Sequence, residues 1–424
     1  MRNSMWMFLG QGLSVIAQAG YFIVIARLLG NFEYGMFVGA AACVSMVSQY
    51  GSFGSGLLFL RYVSPDHSRF ATYWGNILLS TLSLGTLLVL GLGLLSPWLL
   101  HGADARMIVL LAIGDCICSQ LTMAISQVFQ TFEEMRYTAM LNLATTIARM
   151  LLAITLLLTL HRANALTWAI TSLAISLLTA GAGVVLVTRH FGLPEFRFRL
   201  FLEKAREGFV FAVSGSTTSI YNDVDKAMLA HFGMNAANGI YTMAYRVVDI
   251  GTVPIRSVHA AAFPRFFREG AGPGGISATV PLARRLLSRT SLMGLAMAAL
   301  MFVLAPTIPV FVGKGFLPSV TALRWLCLIP FLRSFHLAAG DALAGAGRQG
   351  LRLTFQMIAA GANVALNLVL IPRYSWRGAA WASLATDGML GVFLWSVIAF
   401  INCRRRAKTA YQLSGLEPAI SLEV

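Results

Sequence analysis

Acidic residues are scarce in this chain: 17 Asp and Glu stand against 32 Lys and Arg, for a formal net charge of +15 at pH 7. All charged residues together make up 12% of it, about half the usual soluble share. That shortage excludes an ordinary soluble enzyme, and it leaves no polar domain with which a basic protein would grip a nucleic acid. Cysteine is equally sparse, five in 424 residues. Cys43, Cys116, Cys118 and Cys327 fall inside apolar stretches and Cys403 at the edge of one, which excludes a disulfide framework. Cys116 and Cys118 form a lone C-x-C with no second pair and no histidine cluster, so buried packing accounts for them better than a metal. No G-x-x-x-x-G-K-[ST] stretch occurs, which removes ATP as a direct energy source and calls for no cofactor. The opening apolar stretch has no small-residue cleavage site after it and reads as a first span.

What the chain has is apolar length. Hydrophobic residues make up 57% of it, and twelve runs of about 20 residues or more each suffice to cross about 30 Å of hydrocarbon. They cover approximately 5–26, 35–60, 73–100, 107–130, 138–160, 165–188, 208–231, 238–264, 286–312, 318–344, 352–371 and 378–402. With both termini in the cytoplasm, twenty loop cations face inward and six outward, the remaining six of the 32 lying within spans. That bias follows the positive-inside rule and fixes the expected orientation in a cytoplasmic membrane.

The longest polar stretch, 189–207, divides the chain. The expected organisation is an N-terminal six-helix lobe (1–188), a basic cytoplasmic linker (189–207), a C-terminal six-helix lobe (208–402) and a cytoplasmic tail (403–424). The halves echo one another. Leu29-Gly30-Asn31-Phe32-Glu33-Tyr34-Gly35 joins spans one and two, and Phe232-Gly233-Met234-Asn235-Ala236-Ala237-Asn238-Gly239-Ile240-Tyr241 joins spans seven and eight. Both are glycine-bracketed turns followed by an aromatic. Two even-numbered halves share orientation and place a cargo site between lobes. The terminal run Arg404-Arg405-Arg406 with Lys408 reads as an orientation signal in contact with anionic lipid.

Six cations lie at membrane depth: Arg149, Lys226, Arg246, Arg256, Arg324 and Arg333. Ionised groups there cost several kcal/mol unless they face protein or a wet cavity, so they mark candidate function and an anionic cargo. In span eight, Arg246, Asp249 and Arg256 fall within an arc of about 80° at about 100° per residue, although Pro254 interrupts the helix between them. In span seven, Asp223 and Lys226 are three apart and share a face, while Asp225 points elsewhere. Guanidinium groups suit phosphate oxygens by their forked donors, so the expected cargo contacts are Arg246, Arg256, Lys226, Arg149 and Arg333. Asp223, Asp225 and Asp249 would supply counter-charge or bind a driving proton or sodium ion. Each pair also admits a purely structural reading as an ion pair between helices. Arg324 reads as interfacial, Asp115 and His336 as buried groups with satisfied neighbours, Asn363 and Asn367 as a bond between helices, and Tyr221, Tyr241, Tyr245 and Trp325 as belt anchors.

Ala26-Arg27-Leu28-Leu29-Gly30-Asn31-Phe32-Glu33-Tyr34-Gly35-Met36-Phe37 resembles the first-loop signature of polysaccharide transporters in the multidrug/oligosaccharidyl-lipid/polysaccharide (MOP) exporter superfamily, with Asn31 where proline is usual. Asp223-Val224-Asp225-Lys226, Gly239-Ile240-Tyr241-Thr242-Met243-Ala244-Tyr245-Arg246, and the run Asn363, Asn367, Leu370-Ile371-Pro372 and Gly378-Ala379-Ala380 are similar to further stretches of it in the same order. The resemblance implies an all-α fold of twelve transmembrane helices in two lobes around a cavity. It also implies a flippase for undecaprenyl-diphosphate-linked oligosaccharide in O-antigen or exopolysaccharide synthesis, working beside a polymerase. The rivals are a membrane enzyme of the same pathway, which would carry its charges in a large external loop, and an ion-coupled drug antiporter, which favours an acidic interior.

Overall fold

The computed structural model describes residues 2–100, 104–160, 162–272 and 274–413, with side chains from residue 17 to residue 403 within them. Arg404, Arg405, Arg406 and Lys408 lie outside the described side chains, and the end of the expected tail, 414–424, lies outside the described residues.

Every regular element among the described residues is helical, as hydrocarbon demands: with no water to serve them, backbone N–H and C=O groups must be satisfied within their own segment. In chain order the helices are α1 (Arg2–Ser52), α2 (Ser55–Val63), α3 (Phe70–Leu99), α4 (Ala105–Ala112), α5 (Gln120–Thr131), α6 (Met135–Leu160), α7 (Ala165–Phe191) and α8 (Phe198–His231). They continue as α9 (Asn235–Gly270), α10 (Ile276–Leu304), α11 (Ile308–Val312), α12 (Ser319–Leu326), α13 (Ile329–Gly345), α14 (Gln349–Tyr374) and α15 (Trp376–Leu413). Between α4 and α5 the chain keeps helical form through a π-helical turn, Ile113–Ser119.

Nine helical stretches among the described residues are long and apolar enough to cross a membrane, the first running Ala17–Val63. That first stretch is broken inside α1 at Gly30, whose φ of 70° and ψ of 174° are open to glycine and strained for any other residue. The expected spans one and two meet at this break. Expected spans seven and eight correspond to α8 and α9, which carry Asp223, Asp225, Lys226, Arg246, Asp249 and Arg256 and are not among the nine.

The chain packs as two compact units. One comprises the residues up to Ile250 with Leu304–Leu323 and Asn363–Ala380; the other comprises Gly251–Val303, Arg324–Ala362 and the chain from Trp381 onward. In the first unit, Phe59, Trp74, Ile77, Ile125 and Phe129 are fully buried in a core shared by α2, α3 and α5. The Trp74 indole donates to Thr188 Oγ1 at 3.2 Å, tying α3 to α7. The two glycine-bracketed joints that echo each other in sequence lie directly against one another. A Cβ on Gly35 would meet the backbone of Asn235 and Gly239, and one on Gly239 would meet the backbone of Asn31. Asn238, wholly buried, donates from Nδ2 to the Gly35 carbonyl at 2.8 Å. Arg27 of the same motif donates to the carbonyls of Phe311 and, at 2.7 Å, Val310, so a cation serves the end of α11 where helix carbonyls lack partners.

Candidate functional site

Four helices of the first unit bring aromatic and cationic side chains to one place. The break at Gly30 lets α1 contribute from both of its halves: Gln18, Tyr21 and Phe22 precede it, and the buried Tyr34 follows it. α6 contributes Arg149 and α7 contributes Trp168 and Ser176, while α9 contributes Arg246. Together with Asp115 of the π-helical turn they line a cavity of about 270 Å³.

The donors here are under-used. Arg149 Nη2 donates to Ser176 Oγ at 2.8 Å, yet its Nε is buried without a partner among the described residues. Arg246 places its guanidinium carbon 4.3 Å from the centre of the Phe22 ring, a cation–π arrangement, and its Nε is likewise unpartnered. The Tyr34 hydroxyl sits beside the Arg246 guanidinium and the Trp168 indole N–H beside the Tyr21 hydroxyl, neighbours that stop short of well-formed hydrogen bonds, so four buried polar groups line the same cavity with bonding capacity unmet. Such groups are rare in native proteins, and each costs about 1–3 kcal/mol while unmet. Arginine and indole N–H groups donate only, so the cavity is chemically completed by acceptors, and phosphate oxygens supply them in the planar geometry a guanidinium favours. Among the described residues the only acid in the lining is Asp115, whose carboxylate accepts from Ser119 Oγ at 3.3 Å and is an electrostatic neighbour of Arg149.

The other charges of α8 and α9 are arranged differently. Lys226 Nζ lies 2.5 Å from Asp223 Oδ1 and donates to the Asn222 carbonyl at 2.9 Å, with the Tyr245 ring centre 4.9 Å away. Asp223 also accepts from Ser45 at 3.4 Å. Asp225 turns away from that pair, accepting from the Lys226 backbone N–H at 2.8 Å and from the Tyr241 hydroxyl. Asp249 is half-buried and lies in electrostatic range of Arg246 and Lys226. The structure thus holds Lys226 in an ion pair and leaves the Nε donors of Arg149 and Arg246 open.

Arg256 and Arg333 belong to the second unit and are not in the lining of this cavity. Arg256 is exposed. Arg333 is buried, with Nε 3.6 Å from Asp387 Oδ2, and His336 Nε2 lies 3.5 Å from Asp387 Oδ1. Asp341 faces His259 Nδ1 at 2.7 Å and Arg352 Nη1 at 3.7 Å. Arg324 is exposed beside the Phe302 ring, 5.0 Å from its centre. Asn363 and Asn367 bond to each other along α14 at 2.5 Å, a contact for which the i, i+4 spacing suffices. Among the described residues no group of three or more His, Cys, Asp or Glu is placed to hold a metal ion.

Sequence reasoning found Arg149 and Arg246 by their charge and passed over Tyr21, Phe22, Tyr34 and Trp168. The signal for Tyr34 was its place in the first-loop motif, and for Trp168 its place in the Asn164-Ala165-Leu166-Thr167-Trp168 entry to span six. Tyr21 and Phe22 carry none that separates them from ordinary apolar residues.

In fold, the chain is similar to a MOP superfamily transporter from Pyrococcus furiosus, described as having a binding pocket of reverse polarity, at 15% identity over 94% of this chain and 95% of that one, with a TM-score of 0.62. It is similar to the lipid II flippase MurJ in an inward closed conformation, at 14% identity over 93% and 87% of the two chains, with a TM-score of 0.74. It is also similar to an outward-facing multidrug resistance MATE family transporter, at 16% identity over 95% of each chain, with a TM-score of 0.60. No curated protein matches it. The family model described as polysaccharide biosynthesis protein matches residues 1–269, well over half of the chain, and the chain belongs to that family.

Proposed function

We propose that this protein is a flippase that carries undecaprenyl-diphosphate-linked oligosaccharide repeat units across the bacterial cytoplasmic membrane, for O-antigen or exopolysaccharide synthesis. The observation that carries the reading is the set of four polar groups with bonding capacity unmet, on Tyr34, Arg149, Trp168 and Arg246, around one cavity at membrane depth. A diphosphate is an acceptor-rich anion that meets all of them. The prenyl tail stays in lipid, held by about 0.8 kcal/mol for each buried methylene, so the protein need only house the polar head while it crosses.

In this reading the protein has twelve spans. Dividing the first of the nine apolar stretches at Gly30 and adding α8 and α9 reaches that number. Two six-helix lobes, 1–188 and 208–402, work by alternating access, with both termini cytoplasmic. Arg246 and Arg149 make the primary phosphate contacts, and Arg256, Arg333 and Lys226 serve other stages of the cycle. Asp223, Asp225 and Asp249 provide counter-charge or the site of a coupling proton or sodium ion, and a polysaccharide polymerase takes the delivered repeat unit.

The test is movement of labelled undecaprenyl-diphosphate oligosaccharide across vesicles containing the wild-type protein, Arg149→Ala or Arg246→Ala. Loss of one charge-assisted phosphate contact, worth about 1.5–3 kcal/mol, is expected to slow transport about 10- to 100-fold. Equal rates in all three would remove the site assignment, and no movement of any such lipid by the wild type would remove the function.

A further inference from the structure

A second hollow in the first unit, about 540 Å³, opens between α5, α6 and α7 and shares Arg149 with the cavity just described. Its lining is unusual for a membrane span. From α5 and the turn before it come Ser119, Thr122, Ser126, Gln127 and Gln130. α6 supplies Thr138, Asn142, Thr145 and Arg149, spaced four, three and four apart and so aligned on one helical face. α7 adds Ser176 and Thr179. Three helices each turn a polar stripe to the same groove, and no acid and no cation other than Arg149 lies in it.

The hydrogen-bonding state of these groups points to what the groove takes. The hydroxyls of Thr122, Ser126, Thr145, Ser176 and Thr179 donate back to carbonyls of their own helices, which satisfies each donor and leaves the oxygens to accept, that of Ser176 already accepting from Arg149. Beside them stand the side-chain amides of Gln127 and Gln130, half-buried, and of Asn142, exposed, each both a donor and an acceptor. Hydroxyls bonded to their own helix are tolerated in hydrocarbon, whereas side-chain amides facing lipid cost several kcal/mol apiece, which favours a polar occupant in front of these three. The lining therefore suits a ligand with many hydroxyls and no charge along its body, and the volume falls in the ~300–1,000 Å³ range of pockets that enclose small-molecule ligands.

We infer that this groove seats the glycan of the cargo, a neutral oligosaccharide, with its diphosphate at the Arg149 end. The inference rests on the flippase reading for the identity of the cargo and adds where its sugars sit and of what chemical class they are. Arg149 is then the joint of the two sites: its Nη2 is engaged with Ser176 at the groove, and its free Nε belongs to the phosphate side.

The test measures binding to protein in nanodiscs of undecaprenyl diphosphate carrying a labelled neutral trisaccharide, against bare undecaprenyl diphosphate. In Gln130→Leu/Asn142→Leu, the Kd of the glycosylated lipid is expected to rise about tenfold, the worth of one or two hydrogen bonds, while the bare lipid binds as to wild type. Thr145→Val, which keeps the shape and removes an acceptor, is expected to show the same selectivity at smaller size and guards against misfolding of the double variant. Wild-type binding of both lipids, with variants that treat them alike, would overturn the groove assignment and leave the flippase reading standing. Failure of the wild type to bind either lipid would overturn both.

Discussion

Replacing Lys226 by methionine removes the ammonium 2.5 Å from Asp223 while keeping the length of the side chain. Breaking a buried ion pair from one side costs about 3–5 kcal/mol, because the remaining charge loses its compensation. Asp223 is 30% exposed and retains the Ser45 hydroxyl at 3.4 Å, so Lys226→Met should fall at the lower end, about 3 kcal/mol. Asp223→Leu strands an ammonium whose side chain is only 5% exposed, leaving it the Asn222 carbonyl and the Tyr245 face, and should cost more, about 4–5 kcal/mol. The double variant Lys226→Met/Asp223→Leu removes both charges together and should lie within about 1–2 kcal/mol of wild type, since an apolar pair of similar volume often replaces a buried ion pair at little loss. Titration of unfolding by SDS in mixed micelles, run as a double-mutant cycle, reads all four stabilities. Singles as stable as wild type, or a double variant as unstable as the sum of the singles, would refute the reasoning and return Lys226 to the list of free cargo contacts.

Gly35→Ala and Gly239→Ala each drive a methyl into backbone across the paired joints and are expected to destabilise by about 1–3 kcal/mol or more, whereas Gly181→Ala, which meets open space, should be neutral or mildly stabilising in the same SDS titration. Asn238→Ala strips the donor from the Gly35 carbonyl and leaves that carbonyl buried, for an expected loss of about 1–3 kcal/mol in that titration; no loss would mean that the joints hold by shape alone. The Glu207 carboxyl is held below the usual glutamate range chiefly by donation from the Tyr62 hydroxyl, then by Lys204 and Arg61. A lowered carboxyl stabilises the fold fully above the ordinary glutamate range and loses that contribution as pH falls through it. Tyr62→Phe is therefore expected to reduce the acid-induced loss of stability, with its effect largest at neutral pH and fading on acidification; a pH-independent effect of the variant would contradict the assignment.

Hydropathy disclosed the apolar stretches because lipid imposes the same demand on every residue of a span, and charge disclosed Arg149 and Arg246 because their placement is costly wherever they point. The echo between the two joints was also readable, but its meaning was not. Gly35 and Gly239 are required because two backbones touch, a long-range fact with no local mark. Arg246 and Arg256 share a helical arc in sequence, yet Arg246 lines the cavity of the first unit and Arg256 is an exposed residue of the second, since helical spacing says nothing of which neighbours a long helix meets along its length. The polar stripes of α5, α6 and α7 were legible by spacing and passed unread, because serine and threonine that bond their own helix are commonplace in membranes and only the amides beside them set these apart.

The wide turn Ile113–Ser119 holds one residue more than an α-helix of the same rise needs. The extra residue is taken up within the turn, so α4 and α5 keep the faces they present on either side of it. Deleting one residue there would close the turn to a regular helix with those faces still in phase, whereas the same deletion within a regular stretch would part them by about 100°. What such a deletion would change is local, the aim of Asp115 beside Arg149, and it should be better tolerated than a deletion elsewhere in the same span.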